Sequence, residues 1–270
     1  MSPRHSIQIV VPCYNEASRL DGEALLQFAE EHPGTGFVLV DDGSTDGTLE
    51  LLQSLAQRNP AQLAVVRQPE NRGKAEAVRA GMRHAFDGGC EMVGYWDADL
   101  ATPLDEIPRF VATLREHSQR VVVFGARVQL LGRSIRRSRA RHYLGRVFAT
   151  ATSALLRLPV YDTQCGAKLF RATPMTRALF NDPFAVGWTF DVELIARMIC
   201  VERESSGRDV ADLIYELPLQ TWHDVAGSKV KPSDFLRGVL ELLRIHRRYI
   251  RGRWSPALPH ETRAATEPHD

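Results

Sequence analysis

The residues best suited to chemistry stand just beyond short apolar runs. Pro12-Cys13-Tyr14-Asn15-Glu16 follows Ile7 to Val11, Asp41-Asp42-Gly43-Ser44 follows Phe37 to Val40, and Asp97-Ala98-Asp99 follows Met92 to Trp96. Two carboxylates at i and i+2 of an extended segment project to one side. With phosphate oxygens, they suit hard cations such as Mg2+ or Mn2+. An isolated Asp-x-Asp is a weak signal, since it also occurs in solvated turns; the apolar run before it together with the order in which the three loops follow one another favours Asp97 and Asp99 as metal ligands. Arginine carries a second chemistry. Arg127, Arg133, Arg136, Arg137, Arg139, Arg141 and Arg146 crowd one stretch, and a guanidinium pairs bidentately with phosphate. For most of these arginines the plainer alternative is a solvated basic loop.

The elements that must position these groups alternate. Strand-like runs at Ile7 to Val11, Phe37 to Val40, Leu63 to Val66, Met92 to Trp96 and Val121 to Phe124 are separated by helical spacing at Ala24 to Glu31, Thr48 to Arg58, Lys74 to Phe86 and Leu104 to Glu116. The pattern predicts an α/β fold of βαβ units around a mainly parallel sheet, whose ligands bind beyond the carboxyl ends of the strands. From Arg127 the pattern loosens. It predicts a helix from Tyr143 to Leu156, a glycine-containing turn at Asp162 to Gly166, a helix from Phe190 to Glu202, a strand from Leu213 to Leu219, and a helix opened by Pro232 and running to about Arg251. The expected organisation is one domain over 1–230, split into halves 1–126 and 127–230, then a basic amphipathic helix over 231–254 and a disordered tail over 255–270.

Composition excludes several classes. The 270 residues carry 34 basic and 33 acidic side chains, a formal charge of +1, which gives no global attraction to nucleic acid. Cys13, Cys90, Cys165 and Cys200 lack zinc or disulfide-framework spacing, which fits a reducing cytoplasm. No run approaches the ~18 apolar residues of a spanning helix, and the start has no apolar signal segment. Any membrane contact is therefore expected to be peripheral, at a cytoplasmic face. The helix after Pro232 combines apolar residues such as Leu240 and Leu243 with Arg237, Arg244, Arg247 and Arg248. It can lie in an anionic interface or pack on the domain with its basic face solvated.

The ordered succession of the three loops resembles the nucleotide-binding half of family 2 glycosyltransferases. Asn71-Arg72-Gly73-Lys74, Asp162 to Phe170, Phe190-Asp191-Val192-Glu193 and Gly227-Ser228-Lys229 extend the resemblance to the dolichyl-phosphate glucosyltransferase and dolichyl-phosphate mannose synthase group. That resemblance implies a single nucleotide-diphospho-sugar transferase domain of the GT-A, Rossmann-like type with a C-terminal helical appendage. It also implies inverting transfer of a hexose to a polyprenyl or dolichyl phosphate, giving a β-linked product. The Asp162 to Phe170 and Phe190 to Glu193 segments look more like glucosyl than mannosyl enzymes, so UDP-glucose is favoured over GDP-mannose.

By the same resemblance Pro12, Tyr14 and Glu16 surround base and ribose, Asp42 contacts the base, and Lys74 meets donor phosphate or ribose. Asp97, Ala98 and Asp99 complete the donor site, with Mg2+ or Mn2+ on the two carboxylates. Ala101 stands where mannose synthases commonly place a metal-binding Gln, leaving the third position to water or His223. Arg127 and Arg141 are expected to hold the acceptor phosphate, Gln164 and Lys168 to line the pocket, and Ser228 and Lys229 to close over phosphate. Asp99, Arg127 and Asp191 form the expected catalytic set, although Asp191 can equally N-cap its helix. Two rivals remain open: a saccharide or small-molecule hydroxyl acceptor, with Asp191 as base, and a non-catalytic nucleotide-sugar-binding protein.

Overall fold

The computed structural model describes residues 5–132, 134–136, 139–223, 232–252 and 254–255, with backbone alone at 136, 139–144 and 232–236. In chain order the elements are β1 (Ile7–Cys13), α1 (Gly22–Glu31), β2 (Thr35–Asp41), α2 (Thr48–Arg58), β3 (Leu63–Arg67), α3 (Lys74–Asp87), β4 (Met92–Trp96), α4 (Ile107–Glu116), β5 (Val122–Ala126) and β6 (Ser134–Arg136). There follow α5 (Arg139–Leu156), β7 (Ala167–Arg171), α6 (Pro174–Ala178), α7 (Phe190–Glu204), β8 (Ile214–Pro218), β9 (Thr221–His223) and α8 (Pro232–Ile245), which ends in a π-helical turn at His246–Ile250.

Seven strands form one sheet in the order β3-β2-β1-β4-β7-β5-β8, and β6 pairs with β9 in a separate ribbon. Within the large sheet only β7 runs antiparallel to its neighbours, β4 and β5. The mainly parallel α/β sheet is the one the alternation predicts. Every residue of β2, β4 and β5 is buried, because helices cover both faces of such a sheet. Strand alternation divides the core: Val10, Val40, Tyr95 and Phe124 pack with α3, α5, α7 and α8, whereas Ile9, Leu39, Trp96 and Val123 pack with α1, α2 and α4. A Cβ on Gly81 would lie 2.3 Å from Val10 Cγ1, so the bare glycine lets α3 press against the sheet and sets the height of its first residue, Lys74.

Four elements, β6, β7, α6 and β9, differ from the sequence expectation. β7 interrupts its apolar run with Lys168, a pattern that does not read as a central strand. Residues 134–136 and 221–223 pair as a ribbon, where the first lies in the arginine-rich stretch read as a loop and the second lies beyond the expected strand end at Leu219. The five-residue α6 opens on a reciprocal box in which Thr173 and Thr176 cap each other's backbone.

The C-terminal helix is tied into the domain. Leu242, Ile245, Tyr249 and Trp254 join the core shared with α7. Glu241 of α8 accepts from the backbone N–H of Thr189 at 2.8 Å and of Trp188 at 3.1 Å, and from Thr189 Oγ1 at 2.9 Å. Thr189 is the N-cap of α7 but caps nothing with its own side chain, so Glu241 satisfies those orphan donors from another helix. Burial raises the Glu241 pKa, and the donors from Thr189, Trp188 and Arg237 outweigh that and leave it below the ordinary glutamate value. Replacing Glu241 with Ala is expected to lower stability by about 1–2 kcal/mol, the usual cost of a lost cap, measured as a reduced urea midpoint with unchanged slope. Deeper still, Arg197 lies fully buried between the Glu193 carboxylate at 2.7 Å and the carbonyls of Leu179 and Asp182, which fixes the loop leading into α7.

Candidate active site

The loops after β1 and β2 are knitted together before any ligand is considered. Asn15, with φ of 52°, accepts from Thr45 N at 2.9 Å through Oδ1 and donates its own N–H to Ser44 Oγ at 3.1 Å. Glu16 N donates to Thr48 Oγ1 at 2.8 Å. The Asp42 carboxylate reaches the third loop, accepting from Arg72 N at 2.9 Å and Gly73 N at 2.8 Å. Burial raises its pKa despite these donors. Asp42 therefore shapes the Arg72-Gly73-Lys74 corner, in which Gly73 takes a φ of 86° that only glycine adopts freely.

These loops surround a cavity of about 340 Å³ at the carboxyl ends of β1, β2 and β4. Pro12, Tyr14, Glu16, Asp42, Lys74, Asp97, Ala98 and Asp99, the eight residues assigned to the donor from sequence, all line it. So do Cys13, Arg19, Asn71, Gly73 and Ala77. Arg19 escaped the sequence reading. It stands 3.4 Å from Glu16 and 3.8 Å from Asp99, and its only signal was a basic residue one helical turn beyond the Asn15-Glu16 loop.

Asp97 is held by its N–H, which donates to Gly166 O at 3.0 Å, and its carboxylate forms an ion pair with Lys74 Nζ. Burial pulls the Lys74 ammonium down, but the charges of Asp97, Asp191 and Asp99 outweigh it and leave its pKa above the ordinary lysine value. Asp99 accepts from Ala101 N at 3.1 Å; burial and the Asp97 charge raise its pKa. Two carboxylates in one cavity, with Asp97 Oδ1 accepting no well-aligned hydrogen bond, fit a divalent cation whose other ligands are water and substrate oxygens. Among the described residues no third His, Cys, Asp or Glu joins them. His223 reaches this loop only through its backbone, donating to Ala101 O at 3.0 Å, and its side chain is exposed.

Gly166 makes the acidic pair possible. A Cβ there would fall 1.8 Å from Asp97 Oδ2. Gly166→Ala is expected to push the Asp97 carboxylate out of place and slow turnover by about one to two orders of magnitude, the scale set by a misplacement of about 1 Å at a reacting centre; steady-state kinetics on the folded variant measures it.

Arg127 follows β5 at the same sheet edge. Its Nε and Nη2 donate to Asp162 at 2.7 and 2.8 Å, and its N–H donates to the same carboxylate at 3.1 Å. Burial lowers the guanidinium pKa, and the Asp162 charge overturns this and raises it. The guanidinium also lies over Trp222 at 5.4 Å, and its Nη1 has no hydrogen-bond partner among the described residues. Asp162 is in turn placed by Glu216, which accepts from the N–H groups of Tyr161 and Asp162, each at 2.9 Å. Gln164 stands in the same loop, and its Nε2 is buried without a hydrogen-bond partner among the described residues.

Two expected roles change in the structure. Lys168 is fully buried, and its ammonium donates to Thr163 O at 3.0 Å, Cys165 O at 2.7 Å and Asp191 Oδ1 at 2.6 Å. All three of its donors are consumed, so it fastens the 163–165 loop from beneath and does not contact an acceptor. Asp191 is the second residue of α7, not its N-cap; its carboxylate accepts from Tyr95 Oη and Lys168. Tyr95, one residue before Trp96, had no part in the sequence reading. Lys168→Met is expected to cost about 3–5 kcal/mol, since it leaves the Asp191 carboxylate buried without its cation; chemical denaturation measures the loss. The Arg141 side chain, and Ser228 and Lys229 altogether, lie outside the described residues, as does the tail from 256.

Residues 8–177 match the sequence profile of Glycosyl transferase family 2. The chain belongs to glycosyl transferase family 2. Within the family it groups with dolichyl-phosphate beta-glucosyltransferases. It is 32% identical to one of Trichomonas vaginalis over 91% of this chain and 72% of the relative, and 31% identical to that of Mus musculus over 94% and 78%. This family 2 glycosyltransferase shares its fold with glucosyl-3-phosphoglycerate synthase of Mycobacterium tuberculosis, at a TM-score of 0.61 and 20% identity, over 90% of this chain and 80% of that one. A mannosyltransferase of Pyrobaculum calidifontis, determined with GDP-Man and Mn2+, aligns at a TM-score of 0.60 and 21% identity, over 94% and 66%.

Proposed function

We propose that this glycosyltransferase moves glucose from UDP-glucose to a polyprenyl phosphate of the dolichyl type, with inversion at the anomeric carbon. One observation carries the reading. The carboxylate pair after β4 and the clamped arginine after β5 lie at one edge of the sheet, flanking β7. A donor diphosphate, bridged to the carboxylates by a divalent cation, and an acceptor phosphate, met by the guanidinium, thus have separate receptors on two parallel strands with β7 between them. In this reading residues 1–126 serve the donor and 127–230 the acceptor, and the names of the dolichyl-phosphate relatives support the choice of lipid phosphate.

Pro12, Tyr14 and Glu16 flank base and ribose, while Asp42 sets the loop that presents Lys74 to the diphosphate. Asp97 and Asp99 would hold Mg2+ or Mn2+, which when bound offsets charge developing on the departing diphosphate. Arg127, oriented by Asp162, turns Nη1 to the acceptor phosphate, and Gln164 offers its buried amide; Arg141, Ser228 and Lys229 keep the acceptor-binding roles that the family resemblance implies for them. A phosphate oxygen is already nucleophilic near neutral pH, so the reaction asks for in-line placement more than for a base. Asp191, hydrogen-bonded to Tyr95 and Lys168, orders the floor between the two sites.

Membrane contact is peripheral in this reading. No helix of the described residues is long and apolar enough to cross a membrane. Val239, Leu240 and Leu243 of α8 are 53%, 61% and 55% exposed beside Arg244 and Arg247, which suits an anionic interface at the cytoplasmic face. The donor is tested by comparing UDP-glucose, UDP-galactose, UDP-N-acetylglucosamine and GDP-mannose with one polyprenyl phosphate. We expect UDP-glucose to lead in kcat/KM by at least about tenfold, the discrimination a lost buried hydrogen bond sets; a lead by GDP-mannose would reverse the assignment.

A further inference from the structure

Lys74 and Asp97 are joined although both face the cavity in which a diphosphate and a divalent cation would sit. Asp97 is held in place: its N–H is bonded to Gly166 O at 3.0 Å and its carboxylate occupies the space a Cβ on Gly166 would fill. The base of Lys74 is fixed as well, because Asp42 holds the two preceding N–H groups. Only the four-carbon stem is free, with the Lys74 side chain 43% exposed. The ammonium is the one cation within ion-pair distance of Asp97 among the described residues, and the neighbouring Asp99 has only the longer 3.8 Å approach of Arg19.

We propose that Lys74 and the divalent cation take turns at Asp97. In the free enzyme the ammonium neutralises Asp97 and repels an incoming cation. A donor diphosphate entering the same cavity offers Lys74 a stronger anionic partner, the stem swings, and Asp97 is released as a metal ligand. Lys74 is then a positioning residue that makes metal binding conditional on the nucleotide, so the acidic pair does not load metal ahead of the donor. Thermodynamic reciprocity follows: whatever factor the donor adds to metal affinity, the metal adds to donor affinity. The inference rests on the metal reading of Asp97 and Asp99.

The test is direct Mn2+ binding to the full chain, read by the electron paramagnetic resonance signal of free Mn2+, with and without UDP. Without UDP, Lys74→Met is expected to bind Mn2+ about tenfold more tightly than the native protein, within the usual range for coupled sites. UDP should tighten Mn2+ binding strongly in the native protein and much less in the variant. Lys74→Gln repeats the measurement if the Met variant is unfolded by circular dichroism, and Lys74→Arg, which keeps the charge, should stay as weak as the native protein. Equal or weaker Mn2+ binding by Lys74→Met and Lys74→Gln without nucleotide, alongside tight binding by all forms with UDP, overturns the exchange while leaving the metal reading intact. Absence of Mn2+ binding by every form, even with UDP bound, removes the metal reading and the exchange with it.

Discussion

Asp97→Asn is expected to reduce sugar transfer by about three orders of magnitude, the cost typical of removing a fixed electrostatic element at a developing charge. Asn preserves the shape, so the close contact with Gly166 survives, but it surrenders the charge that holds Lys74 and would hold the cation. The side chain is 33% exposed and contributes little to the core, which keeps the fold out of the comparison. UDP should still bind through the loops of Pro12, Tyr14 and Asp42. The expected result is a collapse in kcat with near-normal melting temperature and modestly weakened nucleotide binding. Activity within a few-fold of the native enzyme would remove Asp97 from the chemistry.

Arg127→Ala is expected to lower kcat/KM for the acceptor by about two to three orders of magnitude, with donor binding unchanged. Interpretation needs a companion, because Arg127 and Asp162 are both largely buried, and removing one partner of a buried pair costs about 3–5 kcal/mol. In Arg127→Ala/Asp162→Asn the stranded charge is gone, so stability should largely return. Transfer should not return, if the guanidinium binds phosphate. Arg127→Lys should also remain poor, since an ammonium cannot span both Asp162 oxygens and still present a second edge. Recovery of transfer in the double variant would assign Arg127 a purely structural role.

The donor half was legible because its signals are local. Apolar runs give β1 to β5, the loops following β1, β2 and β4 carry acid and amide side chains, and parallel topology gathers those loops at one edge. The acceptor half was less legible because its elements depend on distant partners. Lys168 reads as a surface or ligand-binding lysine until the carbonyls of Thr163 and Cys165 and the carboxylate of Asp191 converge on it. β7 is hidden by the same residue. Asp162 was visible within a motif, but its pairing with Arg127 spans 35 positions and no local pattern announces it. Glu241 likewise reads as one more helix-surface acid, and only tertiary packing turns it into the cap of α7.

The most direct test of the central claim follows radiolabel from UDP-glucose into an organic-extractable polyprenyl-phosphate product, with Mg2+ or Mn2+ and with excess chelator. A β-linked lipid-phosphate glucose that forms with metal, stops with chelator and is lost in Asp97→Asn is the predicted result. Donor binding without any lipid-linked product, or label transferred to a hydroxyl acceptor in preference to the lipid phosphate, would contradict the account.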